Sequence, residues 1–456
     1  MHSTLDLIIR NGSVVTPESV RVSDIGVFGG HIVSVSPTIT GAAVEEIDAT
    51  GLHVFPGILD AHVHFNEPGR TDWEGISTGS SALAAGGGAW FCDMPLNSTP
   101  PVTDALRFAE KRRLAEQKSV VDFSLWGGLV PGNLDRLEEL SDVGVIGLKA
   151  FMCGSGIDDF QGVTDVATLR EGMNRAAALG LLVAVHAEDE VMAQQLTADA
   201  RARGGTDPRS WLATRPVEVE LAAIRIATEL AGETGCELHI VHVSSPEGVE
   251  LVSAAKRRGV KVTAETCPHY LLLNEEDVVR QGAVAKCTPP LRSENQRREM
   301  WGALERRCID TIGSDHSPAP PAMKTSPDFF AIWGGVSGCQ HAFPLLISEA
   351  VSGAFPGAHA LPALAALLAD NVARRFRLPK KGRLAEGFDA DFSLLDLNSP
   401  HELSNAALLY HHQQGPYHGR PSRVRVNRTV VRGRTVYSEG LIASGSPAGR
   451  FLQPST

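Results

Sequence analysis

DAHVHFNEPGR, residues 60–70, follows the mostly apolar run GLHVFPGIL and places two histidines one residue apart at the end of a predicted strand. Residues i and i+2 of a strand point to the same face, so His62 and His64 converge. Converging histidines are typical of a metal site, although two core histidines could show the same spacing. The choice depends on whether other strands also end in ligand residues.

Seven further strand-like runs follow, mostly separated by helix-like stretches. They are AWFCDMP, DFSLWGGLV, GVIGLKAFM, LVAVHAED, ELHIVHVSS, KVTAETCPHY and CIDTIGSDHSP. Strands that alternate with helices indicate a parallel sheet that is buried on both faces. Eight such units predict a (β/α)8 TIM barrel, with its chemistry at the C-terminal ends of the strands. A doubly wound open sheet is the alternative, but no GxGxxG follows the first strand.

Both ends of the chain are rich in short strand-like runs. Residues 1–52 contain LDLII, GSVVT and GHIVSVS with NG and GG turn signals, and residues 384–440 contain ADFSLLDL and VRVNRTVV. Two β-rich ends that bracket a barrel most simply pair with each other. We therefore expect a barrel over residues 53–376 and a discontinuous β-sandwich built from residues 1–52 and 377–456, ending in a loosely ordered tail.

The composition restricts the class of protein. A hydrophobic fraction of 43% and a charged fraction of 21% are typical of a globular protein. No stretch approaches the ~20 apolar residues of a membrane span, and the N-terminus does not resemble a signal peptide. Seven scattered cysteines without a CxxC pair indicate a reducing compartment. With a net charge of −11, we expect a cytoplasmic protein that binds neither nucleic acid nor membrane.

Three other predicted strands end in residues that bind metals, namely His186, His242 and Asp315. His239 lies an odd step from His242, so we expect it to face the other side and to be structural. His316 is expected to position a loop or to contact product. In the fourth run, Lys149 stands among apolar residues, where an unpaired ammonium is costly. This lysine must be paired, shifted in pKa or chemically altered.

The motifs HVH, LKAFM, VHAED, IVHVSS and IGSDHSP, in this order, resemble the cyclic amidohydrolases of the amidohydrolase superfamily, and the resemblance runs from about residue 5 to residue 440. It implies that CO2 carbamylates Lys149, which then bridges two divalent metal ions. It further implies that one metal site is completed by His62, His64 and Asp315, and the other by His186 and His242. Imidazole with oxygen ligands favours zinc, with cobalt, manganese or iron as alternatives.

The resemblance also implies a reaction. A hydroxide held between two metal ions is nucleophilic at neutral pH, and one ion would polarise a ring carbonyl. Asp315 would accept the hydroxide proton and pass it to the leaving nitrogen. Such a site hydrolyses a cyclic amide or ureide. A scaffold protein of this fold would have lost its ligands, and a deaminase would normally use one metal without Lys149.

The substrate is restricted by two departures from related families. Dihydroorotases place an arginine after their HVH motif to bind a carboxylate, and Asn66 cannot make that bidentate pair. The loop AFMCGSGIDDF lacks the tyrosine that dihydropyrimidinases and hydantoinases carry after their carbamylated lysine. The motifs HVHFNEPGRTDWEG, FCDMPLNSTPP, ETCPHYL, KCTPPLR and WGGVSG together resemble the allantoinases. The implied substrate is the neutral ureide allantoin, with dihydropyrimidinase or hydantoinase activity as the alternative.

Candidate substrate contacts are taken from the predicted strand ends and loops: Asn66, Asn97, Thr288 and Ser337. The side chain of Asn97 could equally cap a turn beside two prolines. Trp333 could belong to a lid or pack in the interior, and packing is favoured. The resemblance implies a homotetramer.

Overall fold

The computed structural model describes residues 4–355, 359–444 and 448–455. The chain begins with five strands: β1 (Leu5–Val15), β2 (Val20–Phe28), β3 (His31–Ser36), β4 (Ala43–Asp48) and β5 (His53–Pro56). β1 and β2 form an antiparallel pair, and β3 extends it. β4 and β5 both run parallel to β1 and pair with different parts of it.

The next strands form the barrel: β6 (Ile58–Val63), β7 (Gly88–Asp93), β8 (Asp122–Leu125), β9 (Gly127–Gly128), β10 (Leu148–Phe151), β11 (Val183–His186), β12 (Leu238–Ile240), β13 (Val262–Thr266) and β14 (Thr311–Ile312). β8 and β9 are separated only by Trp126, so they count as one barrel strand. Neighbours pair in parallel from β6 to β8 and from β9 to β14. An isolated parallel bridge between Val63 and His316 joins the end of β6 to the segment after β14. The eight-strand prediction is confirmed.

The α-helices lie mostly between these strands: α1 (Ile76–Ala85), α2 (Ala105–Lys118), α3 (Leu137–Asp142), α4 (Val166–Ala178), α5 (Glu190–Ala202), α6 (Pro208–Leu212), α7 (Val217–Thr234), α8 (Pro246–Arg257), α9 (Pro268–Leu272), α10 (Glu275–Gln281), α11 (Glu294–Glu305), α12 (Ala342–Glu349), α13 (Ala360–Ala365) and α14 (Asn371–Arg375). α7 buries Ala223, Ile224, Ala227 and Ala231 on one face and ends at Gly235, whose φ of 70° suits glycine. Among the described residues, no helix is long and apolar enough to span a membrane.

The chain ends in a second group of strands: β15 (Phe392–Asp396), β16 (His401–Glu402), β17 (Pro421–Ser422), β18 (Arg425–Val431), β19 (Arg434–Ser438) and β20 (Leu441–Ile442). β15 pairs antiparallel with β5, so strands from both termini form one nine-stranded sheet. Its separate apolar core contains Ile9, Ile25 and Phe392. The second domain expected from both termini is confirmed, while its boundaries stay a prediction. The expected loose tail falls partly on residues 445–447 and 456, outside those described.

One buried ion cluster joins the barrel to this second domain. The Nζ atom of Lys381 lies 2.7 Å from Asp122 on β8, 2.9 Å from Asp389 and 2.6 Å from Asp391. Asp122 also pairs with Arg432, the residue that follows β18. The three carboxylates are close enough to suggest a cation site. The ammonium of Lys381 already supplies that cation.

Candidate metal centre

Three of the predicted ligands meet where β6 ends and the segment after β14 begins. Nε2 of His62 lies 3.2 Å from Oδ1 of Asp315, and Nε2 of His64 lies 3.3 Å from the same oxygen. Burial alone would raise the pKa of Asp315, but the two histidines hold it well below its usual range. Asp315 has a φ of 46°, a strained conformation for a residue other than glycine. The barrel holds this carboxylate as an anion between two imidazoles.

A second pair of ligands lies across the barrel mouth. His186 ends β11, and His242 follows β12 with a φ of 42° that turns the chain sharply. Nδ1 of His186 lies 3.0 Å from Nε2 of His242, so the two nitrogens converge. Burial lowers the pKa of both histidines. A lowered pKa keeps imidazole neutral, which is the form that binds metals.

Lys149 on β10 completes the set. Its side chain is fully buried, and its Nζ atom has no hydrogen-bond partner among the described residues. The nitrogen stands 5.0 Å from the centre of the Phe151 ring. Burial lowers the pKa of Lys149 to about 8. A single cavity is lined by all six predicted ligands: His62, His64, Lys149, His186, His242 and Asp315.

Two buried carboxylates that sequence reasoning missed contact two of the histidines predicted to be ligands. Oε1 of Glu265 on β13 lies 2.8 Å from Nδ1 of His62, and Oε2 of Glu188 lies 2.8 Å from Nε2 of His186. Each carboxylate contacts the ring nitrogen that points away from the centre. Such a contact fixes the tautomer and the ring orientation of a histidine that binds metal through its other nitrogen. A charged residue inside the strand run KVTAETCPHY was the available signal for Glu265.

Other polar residues of the predicted strand ends support the centre from outside the cavity. His239 contacts Thr263 Oγ1 at 2.7 Å and lies 3.5 Å from Glu265, and it does not line the cavity. Nδ1 of His316 accepts a hydrogen bond from the backbone N–H of Gly338, so this histidine holds the loop after β14.

The four candidate substrate contacts separate into two groups. Asn97 and Thr288 line the metal cavity, and the Asn97 amide lies 3.3 Å from Nδ1 of His64. Asn66 is fully buried, and its amide donates to the Pro318 carbonyl, while Ser337 is buried in the loop after β14. Neither Asn66 nor Ser337 lines the cavity. The structure brings Asn97 and Thr288 to the cavity of the predicted metal ligands and leaves the other two outside its lining.

Comparison with known proteins agrees with this geometry. The chain matches the amidohydrolase family over residues 53–436. It is 51% identical over 451 residues to an allantoinase of Deinococcus radiodurans, covering 99% of both chains. It is 41% identical over 453 residues to an allantoinase of Escherichia coli, covering 98% of this chain and 99% of the other. Among solved structures, it matches the L-hydantoinase (dihydropyrimidinase) of Arthrobacter aurescens with a TM-score of 0.95 and 33% identity, covering 99% of this chain and 100% of that one. The chain belongs to the amidohydrolase family.

Proposed function

We propose that this chain is an allantoinase, which hydrolyses the cyclic amide bond of allantoin to give allantoate. The observation that carries the proposal is the convergence of six ligand residues from five barrel strands in one buried cavity. The allantoinases that the chain resembles over nearly its full length support the choice of substrate.

The donor set fits two divalent cations. His62, His64 and Asp315 would hold one ion, and His186 and His242 would hold the other. Between them, the buried and unpartnered Nζ of Lys149 is the group that carbamylation would turn into a bridging carboxylate. Its pKa of about 8 leaves part of the amine unprotonated near neutral pH, so the nitrogen can attack CO2 and lose a proton. Zinc suits these ligands first, with cobalt, manganese or iron as alternatives.

When bound, such ions supply an activated water nucleophile and Lewis-acid polarisation of the ring carbonyl. The chain itself supplies the proton transfers and the orientation. Asp315 is anionic at the centre, so it would accept the proton of the attacking water and deliver it to the leaving ring nitrogen. Glu265 and Glu188 hold His62 and His186 in their orientations through the ring nitrogens that face away.

The lining of the cavity supports a neutral substrate. Apart from the ligand residues, it consists of Leu96, Asn97, Phe151, Ser155, Cys287, Thr288, Ser317, Trp333, Gly334 and Gly335. No arginine is among these described residues, and the one lysine is the bridging candidate Lys149. A substrate carboxylate held in the metal cavity itself would find no free cation, because Arg215 and Lys286 line the adjoining chamber instead. The loop AFMCGSGIDDF after Lys149 contains no tyrosine, unlike the corresponding loop expected of hydantoinases.

A hydantoinase or dihydropyrimidinase is the second candidate, favoured by the TM-score of 0.95 with the Arthrobacter enzyme. The test is kcat/KM of the metal-loaded protein on allantoin, dihydrouracil, 5-substituted hydantoins and dihydroorotate in parallel, with Lys149→Ala as the background. We expect kcat/KM for allantoin to exceed the values for the other compounds on the order of 100-fold. A site built to hydrogen-bond one substrate rejects analogues that lack its polar groups. A higher kcat/KM for dihydrouracil or a hydantoin than for allantoin would assign dihydropyrimidinase or hydantoinase activity instead. The homotetramer and a role in purine breakdown are further proposals that rest on the resemblance.

A further inference from the structure

The metal cavity is small and opens into a larger chamber. The metal cavity measures about 60 Å³ and the chamber about 410 Å³. They share the lining residues Phe151, Ser155, His186, Thr288, Trp333 and Gly334. A ring whose amide reaches Asp315 must therefore extend its substituent past these residues into the chamber. The residues at this junction are placed to distinguish one substituent from another.

Trp333 is fixed at the junction by contacts to its ring and its backbone. Its ring packs edge-on against Trp73, with ring centres 5.1 Å apart at 70°. Gly156 also passes close to the ring, since an added Cβ atom would lie 3.5 Å from the indole. The ammonium of Lys324 donates to the Trp333 carbonyl at 2.8 Å, and the Trp333 N–H donates to Met323 at 3.1 Å. The indole is positioned before any substrate arrives.

The indole N–H of Trp333 is the polar group that these contacts do not use. It is buried and has no acceptor among the described residues. Two neighbouring polar groups of the cavity are already engaged, because the Ser155 hydroxyl contacts backbone carbonyls and the Asn97 amide nitrogen contacts His64, whereas the Asn97 amide oxygen has no partner among the described residues. A buried donor without an acceptor costs free energy, since it has lost its hydrogen bond to water. An occupant of the cavity that carries a carbonyl can supply this acceptor.

We propose that the Trp333 indole N–H donates a hydrogen bond to the carbonyl of the acyclic ureido arm of allantoin, and that this bond selects a ureide arm over a hydrocarbon substituent. This inference rests on the proposed function. The metal ligands hold the reacting ring amide, while the arm crosses the junction where Trp333 stands. The residue is then a determinant of specificity and takes no part in the proton transfers.

The test is Trp333→Phe, which keeps an aromatic ring and removes the N–H. Allantoin is compared with 5-methylhydantoin, which has the same ring and no acceptor on its substituent; if the latter is not turned over, its inhibition constant is measured. We expect kcat/KM for allantoin to fall on the order of 10- to 100-fold, with the value for 5-methylhydantoin nearly unchanged. Trp301→Phe is the matched control, because it removes a buried indole N–H that lies outside both cavities, and it should leave both values unchanged.

An equal loss of kcat/KM on both compounds would show that Trp333 only packs. An unchanged kcat/KM for allantoin would show that the indole N–H does not contact the substrate. Either result overturns the proposal. A second measurement uses the unaltered protein with isotope-labelled tryptophan, in case the variant does not fold. The indole N–H resonance of Trp333 should shift on binding allantoate and stay in place with the ring-opened product of 5-methylhydantoin. A wild-type preference for 5-methylhydantoin over allantoin would instead refute the proposed function itself.

Discussion

Oε1 of Glu265 lies 2.8 Å from Nδ1 of His62, and both side chains are buried in the barrel. Burial would raise the pKa of Glu265, but its contacts with His239 and His62 lower it to about 2, so the carboxylate is an anion. An anionic acceptor holds the hydrogen of His62 on Nδ1 and leaves Nε2 free toward Asp315. Glu265→Leu should therefore weaken metal binding on the order of 10- to 100-fold, measured by competition with a chelator.

Glu265→Gln is the matched variant for this prediction, because its amide oxygen can still accept the hydrogen bond from Nδ1. We expect it to retain most of the metal affinity that the leucine variant loses. Thermal unfolding of the metal-depleted proteins separates a change in metal affinity from a change in fold. Metal binding at the wild-type level in the leucine variant would refute this role for Glu265.

Asn97 presents a choice between contact with substrate and support of a ligand. Its amide lies 3.3 Å from Nδ1 of His64, the ring nitrogen opposite Nε2. If the Asn97 amide turns so that its oxygen accepts the hydrogen on Nδ1 of His64, Asn97→Ala should lower metal affinity and kcat together, because His64 loses its orienting partner. If Asn97 binds substrate alone, KM will rise while the metal content and kcat stay constant. Metal analysis beside steady-state kinetics distinguishes the two outcomes.

The proposed carbamylation of Lys149 can be tested directly. Wild-type protein stripped of metal and reconstituted with zinc in CO2-free buffer should regain little activity, and added bicarbonate should restore it. Lys149→Ala should bind little metal and should be rescued in part by short-chain carboxylic acids, which can supply the missing oxygen bridge. Lys111→Ala is a control for loss of a buried lysine, because Lys111 pairs with Asp93 outside the cavity. Full reconstitution without CO2 would exclude the carbamate.

The sequence alone was sufficient for the barrel, and the six residues that it predicts as metal ligands line one cavity in the fold. Strand alternation and position at a strand end are local features, and both are visible in HVH and in VHAED. The supporting residues were harder to find, because Glu265 is 203 positions from His62 and meets it only in the closed barrel. Asn66 is a residue that the sequence pattern singled out but whose surroundings only the fold reveals. Its position after HVHF predicts contact with substrate, and that contact stays a prediction. In the fold its backbone is in the left-handed region with a φ of 64°, its amide nitrogen donates to the Pro318 carbonyl, and it does not line the metal cavity.

The junction between the two domains is predicted to depend on Lys381. Its ammonium lies within 3 Å of Asp122, Asp389 and Asp391, and its side chain is 2% exposed. Lys381→Met would leave buried carboxylates without their shared cation, which typically destabilises a protein by about 3–5 kcal/mol. Denaturant unfolding should show this loss. Arg209→Met removes an exposed pair with Glu276 and should change the stability little; equal effects of the two variants would contradict the prediction.

The acid stability of the fold should depend in part on His341, which is buried at the start of α12. Burial, with smaller effects from His401 and His418, lowers the pKa of His341 from 6.5 to about 4. Between pH 6.5 and 4 the unfolded chain therefore binds a proton at this residue that the folded chain does not. The free energy of unfolding must fall as the pH decreases through this window. His341→Gln should make that fall shallower in unfolding measured across the same range, while the exposed His411→Gln should leave it unchanged. An identical slope for His341→Gln and wild type would exclude His341 as a source of the acid sensitivity.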